Sequence, residues 1–126
     1  MPYMHAFLWI LQILLALLFA GLGLLKLSQP KEKLAPSLAW VEDFPEQRVK
    51  LIGGLELAAA VGLVLPGWTG VLAWLTPLAA TGLVVLMVLA GQVHRRRGER
   101  QMLPLNVALG LAAAVVAIFR FGPYSW

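Results

Sequence analysis

Cysteine is absent from the sequence. Without thiols the chain forms no disulfide bond, no thiolate nucleophile, no dithiol redox relay and no iron–sulfur cluster held by its own thiolates. These absences remove the usual ways in which a small protein performs redox chemistry with its own side chains. A redox role would therefore require a bound quinone or a partner subunit.

Charged residues are scarce. They make up 13% of the 126 residues, whereas hydrophobic residues make up 60%. Soluble domains are about 25% charged and about 45–50% apolar, so this composition indicates an integral membrane protein. The length allows one transmembrane domain, residues 1–126, without a separate soluble module. The formal net charge of +4 does not predict nucleic-acid binding, because the basic residues lie beside apolar segments, where topology and lipid headgroups explain them.

Long apolar runs predict four membrane-spanning helices, at about residues 6–27, 48–65, 70–94 and 103–120. The first run is about 20 residues long, which matches a hydrocarbon core of ~30 Å. No basic residue precedes it and it is longer than the apolar part of a signal peptide, so we interpret it as the first span. The predicted fold class is all-α, a polytopic membrane four-helix bundle.

Two prolines bear on the bounds of the second and third spans. Pro66 begins a stretch with two glycines and no charge, which predicts a tight turn over residues 66–70. Pro77 falls inside the third predicted span and predicts a kink there, with the freed carbonyl covered by a neighbouring helix.

The connection between spans one and two, about residues 30–46, contains most of the acidic residues and three prolines. Its apolar residues recur at a spacing of three to four: Leu34, Leu38, Val41 and Phe44. This period predicts a short amphipathic helix in the cytoplasmic interface, with Trp40 helping to anchor it. A solvated loop is the alternative.

The basic residues predict the orientation. Nine of the ten Lys and Arg residues lie in or beside the first and third connections, and only Arg120 lies elsewhere. The third connection contains the cluster Arg95, Arg96, Arg97 and Arg100. The positive-inside rule therefore places both charged connections in the cytoplasm and both termini outside.

Glu56 is the one carboxylate within the predicted spans. A charge at such a position costs about 2.5–3.5 kcal/mol on insertion scales, so it is expected to face the protein interior and to have a partner. The topology places Lys26, Asn106 and His94 towards the same cytoplasmic side, one from each of the other helices. We predict a polar cluster of these four residues, with Lys26 as the first candidate partner and His94 as the last. Whether the cluster binds a ligand or only holds helices together stays open.

Other polar residues in the spans suggest less. Gln12 predicts a hydrogen bond between helices rather than a ligand contact. His5 and His94 belong to opposite membrane faces and cannot share a metal ion, so no metal site is predicted. The spans contain no pair of carboxylates and no serine near a base, so we predict no catalytic residue.

Several segments resemble the DoxX-like family of small membrane proteins. These are FAGLGLLKL at residues 19–27 with PKEK at 30–33, VKLIGGLE at 49–56, the loop at 94–99 and Asn106. The resemblance implies a four-helix bundle of the bacterial cytoplasmic (inner) membrane, with Lys26, Glu56, His94 and Asn106 at the polar positions of the family. Relatives include a subunit of an archaeal thiosulfate:quinone oxidoreductase and membrane partners of redox-stress complexes. Nothing in this sequence binds sulfur, so the resemblance does not imply a thiosulfate enzyme.

Three functions remain as hypotheses. The first is a non-catalytic membrane module that assembles with a partner membrane or redox protein or as a homo-oligomer. The second is a membrane subunit of an oxidoreductase that binds a quinone headgroup at Glu56 with Lys26 or His94, because quinone carbonyls accept hydrogen bonds and quinols need proton acceptors. The third is transport of a small solute or of protons, for which four helices are few.

The predicted topology can be tested with reporters fused to each terminus. Because the basic connections are expected in the cytoplasm, a reporter active only outside it should be active at both ends, and one active only in the cytoplasm should be silent. A cytoplasmic signal from either terminus would show the orientation to be wrong.

Overall fold

Five helices make up most of the structure, a computed structural model that describes residues 2–36, 41–42, 44–70 and 72–122. The helices are α1 (Pro2–Ser28), α2 (Lys31–Leu34), α3 (Glu46–Thr69), α4 (Leu75–Arg96) and α5 (Leu103–Phe121), and a 3-10 turn (Arg100–Met102) leads into α5. All except α2 are long and apolar enough to cross a membrane. Within the described ranges there is no strand, and the predicted all-α membrane four-helix bundle is confirmed.

The four long helices form two antiparallel hairpins. Helix α1 packs along α3, and α4 packs along α5. Helix α3 also lies against α4, and a smaller contact between α1 and α5 closes the ring. The shared core contains side chains from all four long helices, among them Phe19, Leu63, Leu83 and Val116.

The outer faces of the same helices are as apolar as the core. Leu17 and Leu111 are more than 60% exposed, and similar side chains face outward from α3 and α4. A soluble protein rarely exposes apolar surface of this extent, whereas a membrane protein presents it to lipid tails. The structure is therefore that of a bundle surrounded by lipid.

Two glycines bring α1 and α3 into backbone contact. A Cβ atom on Gly23 would lie 2.6 Å from the carbonyl oxygen of Gly53, and a Cβ on Gly53 would lie 2.7 Å from the Cβ of Lys26. Neither position has room for a side chain. The neighbouring glycines differ, since a Cβ on Gly21 or Gly54 would meet no atom within 4 Å. Gly23 and Gly53 thus permit the close helix crossing, whereas Gly21 and Gly54 face away from it.

The two prolines have different roles from those predicted. Helix α3 continues through Pro66 and ends with Gly70 as its left-handed cap (φ 75°), so the turn begins later than predicted. Pro66 has no N–H, which leaves the carbonyl of Gly62 without its helical partner, and the hydroxyl of Thr76 on α4 donates to that oxygen at 2.9 Å. Pro77 lies in the first turn of α4, where no helical N–H partner is needed, so the predicted kink is wrong.

The first connection is only partly the predicted amphipathic helix. The described helix, α2, has four residues. Leu34 and Val41 are buried against Val49 at the start of α3, so this part of the apolar stripe packs on protein. Leu38 and Trp40 lie outside the described residues.

Replacing Gly53 by alanine should destabilise the bundle by about 1–3 kcal/mol, the usual cost of overpacking, because its Cβ would enter the space of Lys26 and of the α1 backbone. Unfolding in mixed detergent micelles would measure the change. Gly54→Ala is the matched control and should be neutral or stabilising, since its Cβ meets open space and alanine favours helix. Equal losses for the two variants would contradict the close crossing.

Candidate functional site

The central feature of the candidate site is a buried ion pair between α1 and α3. The Nζ atom of Lys26 donates to Oε1 of Glu56 at 2.5 Å. The two residues are 5% and 3% exposed. In hydrocarbon each charge alone would be costly, so the two groups stabilise each other only while α1 and α3 stay in this register.

The glycine crossing explains why these two charges meet. Gly23 precedes Lys26 by three residues and Gly53 precedes Glu56 by three, so each glycine and its charge share a helix face. Because the helices are antiparallel, the stem of Lys26 begins beside Gly53 and reaches Glu56 about one turn deeper along α3. A side chain at Gly53 would block that path.

A second contact between α1 and α3 lies at the end of the same hairpin that is joined by the first connection. The ammonium group of Lys50 on α3 donates to the carbonyl oxygen of Leu27 at 3.1 Å. This carbonyl lies in the last turn of α1, where helical partners are lacking and a cation is favourable. The hairpin is thus held by cations of both helices.

His94 does not join this pair. Its Nδ1 lies 2.9 Å from Oε1 of Glu99, and Nε of Arg97 lies 3.5 Å from the same oxygen. His94 is 7% exposed, so it is part of a partly buried group within the connection between α4 and α5. Of the predicted basic cluster, Arg95 and Arg96 end α4 and Arg100 opens the 3-10 turn.

Asn106 also makes its contacts elsewhere. With the amide oriented to suit its neighbours, its nitrogen donates to the carbonyl of Met102 and its oxygen accepts from the N–H of Gly91, both at 3.1 Å. The bond with Gly91 fastens the start of α5 to α4, and the bond to Met102 is local to the start of α5. Of the four residues predicted to meet, the structure therefore brings together Lys26 and Glu56, while His94 and Asn106 are satisfied within the second hairpin.

A second polar network lies towards the opposite end of the bundle. Gln12 of α1 donates from Nε2 to the carbonyl of Leu63 on α3 at 2.5 Å, and its Oε1 accepts from Nε of Arg120 at 2.9 Å. Nη1 of Arg120 in turn lies 2.9 Å from Nδ1 of His5. Gln12 thus makes the interhelical hydrogen bonds that its position suggested, and it joins three helices.

Sequence reasoning missed Arg120, which it considered only as the basic residue outside the two charged connections. The residue is 2% exposed and is among the largest fully buried side chains in the described part of the chain. The signal was present, because Arg120, Gln12 and His5 lie near the same end of their spans. Comparing how deep each polar residue lies in its span suggested Lys26 as the partner of Glu56. The same comparison would also have placed these three residues at similar depths.

Among the described residues, the ion pair and the main groove lie in different parts of the bundle. No group of three or more potential metal ligands occurs among them. A groove of about 320 Å³ lies between α4 and α5, and its lining includes Asn106 but neither Lys26 nor Glu56. The buried ion pair is therefore not part of this groove, and the groove is largely apolar.

Comparison with known proteins identifies a family for this chain. The sequence pattern of the DoxX-like family matches residues 10–117, which is most of the chain and includes Lys26, Glu56, His94 and Asn106. No curated protein and no solved structure matches the chain.

The ion pair should show strong coupling in a double-mutant cycle. Lys26→Met and Glu56→Leu should each cost about 3–5 kcal/mol, because each leaves the other charge buried without its partner. The double variant removes both charges and should cost clearly less than the sum of the two. Unfolding free energies in mixed micelles would measure the coupling. Lys33→Met, at an exposed lysine, is the control, and additive losses would show that the contact does not link the helices.

Proposed function

The chain belongs to the DoxX-like family, and we propose that it is a non-catalytic, multi-pass module of the bacterial cytoplasmic membrane that assembles with a partner membrane protein or with a second copy. The observation on which the proposal rests is the closed Lys26–Glu56 pair, in which the one carboxylate of the apolar spans is already engaged. A substrate or proton site would need that carboxylate to be accessible.

A structural role for the pair follows from its energetics. A buried ion pair adds little net stability, because desolvation offsets the attraction, but it makes alternative packings expensive. With Glu56 placed on α3 and Lys26 on α1, any shift of register by one turn would separate the charges. The pair therefore favours one register of α1 against α3, and this register fixes which residues of α3 face outward.

Helix α3 has a surface suited to assembly. Gly54 and Ala58 are four residues apart and so share a face, and a Cβ on Gly54 would meet no atom within 4 Å. Ala58 is exposed. Small residues at this spacing let a second helix approach the backbone closely, which is how membrane helices associate without a hydrophobic driving force. This face, defined by Gly54 and Ala58, is the proposed assembly face.

The orientation belongs to the same proposal. With both termini outside, the ion pair lies in the cytoplasmic half of the membrane and the Gln12–Arg120 network lies in the outer half. A cytoplasmic partner would then meet the two connections in or beside which nine of the ten Lys and Arg residues lie.

Quinone binding at Glu56 is the alternative that this geometry disfavours. A headgroup between α1 and α3 would have to displace Lys26, and the glycine contact leaves no space there for a ring. Transport through a site at Glu56 meets the same obstacle. Both alternatives require the first hairpin to open, whereas the module proposal requires it to stay closed.

Assembly can be tested with single cysteines, since the natural chain has none and each introduced thiol is unique. Ala58→Cys should give an oxidative cross-link in native membranes, to a second copy or to a partner of different mass, because the assembly face brings it against another helix. Val85→Cys, at a residue that is also exposed on α4, is the matched control and should cross-link much less. Adding Gly54→Leu should remove the Ala58→Cys product.

Two outcomes would overturn the module proposal. One is equal cross-linking of Ala58→Cys and Val85→Cys, which would show random collision. The other is thermal protection of the purified protein by a short-chain quinone, lost in Glu56→Gln. That result would favour the quinone site instead.

A further inference from the structure

The groove between α4 and α5 lies on the lipid-facing side of the second hairpin. It has a volume of about 320 Å³. On α4 its lining runs from Val84 through Val88 to Gly91, a length of about 10 Å along the helix axis. Glycines on both helices give it depth, and Val88 and Val107 at its rim are more than half exposed. Its shape is a narrow apolar channel that opens to the bilayer.

The channel leads to a cluster of cations. On α4 the lining residues recur at spacings of four and three, and the next step from Gly91 on the same face is Arg95. On the other side, Arg100 lies three residues before Leu103, the first lining residue of α5. This spacing places Arg95 and Arg100 beyond the end of the groove that is nearest the connection between α4 and α5.

These arginines are available to an anion. Arg95, Arg96 and Arg100 are exposed, and in the described ranges none of them forms an ion pair, whereas Arg97 lies against Glu99. Inside the groove, the oxygen of Asn106 and one of its N–H groups are already hydrogen-bonded to the backbone. The site therefore combines an apolar channel with a cationic mouth.

We propose that this groove binds an anionic phospholipid, with one acyl chain lying along the channel and the phosphate held by Arg95 and Arg100. Basic pockets between membrane helices bind anionic headgroups in this way, and each arginine near the surface contributes about 1 kcal/mol. An acyl chain needs no hydrogen bonds, so it suits an apolar channel in which the polar groups of Asn106 are already hydrogen-bonded. The charge of the mouth selects an anionic over a zwitterionic lipid. This lipid site lies on the second hairpin and is independent of the proposed assembly face on α3.

Binding can be measured on the full chain in mild detergent. The protein is titrated with phosphatidylglycerol or with phosphatidylcholine of the same acyl chains, and bound lipid is counted by native mass spectrometry alongside the thermal midpoint. Phosphatidylglycerol should bind as one tightly retained molecule and raise the midpoint, and phosphatidylcholine should do so much less. The double variant Arg95→Gln/Arg100→Gln should weaken phosphatidylglycerol binding about thirtyfold, from two contacts of about 1 kcal/mol each.

The channel is tested by filling it. Gly110→Leu puts a side chain into the groove, where a Cβ has only an ordinary 3.5 Å contact with Met87, and it should abolish retained lipid. Gly82→Leu is the matched control on α4, where a Cβ meets no atom within 4 Å, and Arg48→Gln is the control for an exposed arginine of the first connection. Both controls should bind as the natural chain does.

Three results would overturn the proposal. Equal affinity for the two lipids would exclude the cationic mouth, and undiminished binding by Gly110→Leu would exclude the channel. A change of oligomeric state in Gly110→Leu with lipid binding intact would show that a helix of a second copy fills the groove. The arginine variant keeps the headgroup test valid if Gly110→Leu fails to fold, because its side chains are exposed.

Discussion

The contact between Lys26 and Glu56 is the constraint on which the arrangement of the first hairpin depends. An ionised group in hydrocarbon has no water to solvate it, so each charge needs the other, and the two meet beside the point where the helix backbones touch. Gly23 and Gly53 supply that contact. The glycines and the ion pair therefore depend on each other, because the absence of a Cβ atom at Gly53 makes room for the stem of Lys26, which reaches the carboxylate of Glu56.

Helix α3 connects this pair to the rest of the bundle. Towards the C-terminal end of α3, Pro66 frees one backbone carbonyl, and the next carbonyl along the chain accepts a hydrogen bond from a side chain of α1. Thr76 and Gln12 use these two oxygens, so α3 is hydrogen-bonded to both of its neighbours at one level. Arg120 then joins α5 to the same network through Gln12. In a protein without a hydrophobic driving force between helices, such bonds and small-residue contacts decide which helices pair.

The two hairpins differ in how they are closed, and this difference supports different functions for them. The first hairpin is sealed by an ion pair and offers a smooth face of small residues on α3. The second is fastened near its basic end by Asn106 and leaves an apolar groove on its lipid side. Protein assembly suits the first surface and a lipid chain suits the second.

Composition and the period of apolar residues determined the all-α membrane bundle, because about twenty apolar residues can satisfy their backbone in hydrocarbon only as a helix. The isolated charge of Glu56 and the lysine at the end of the first span were also sufficient to suggest their pairing. Tertiary structure decided which glycines touch, which proline lies in a helix interior, and that Arg120 is buried. It also separated Asn106 and His94 from Glu56, because rotation about the helix axis decides which residues at one depth face each other, and depth alone leaves that rotation open.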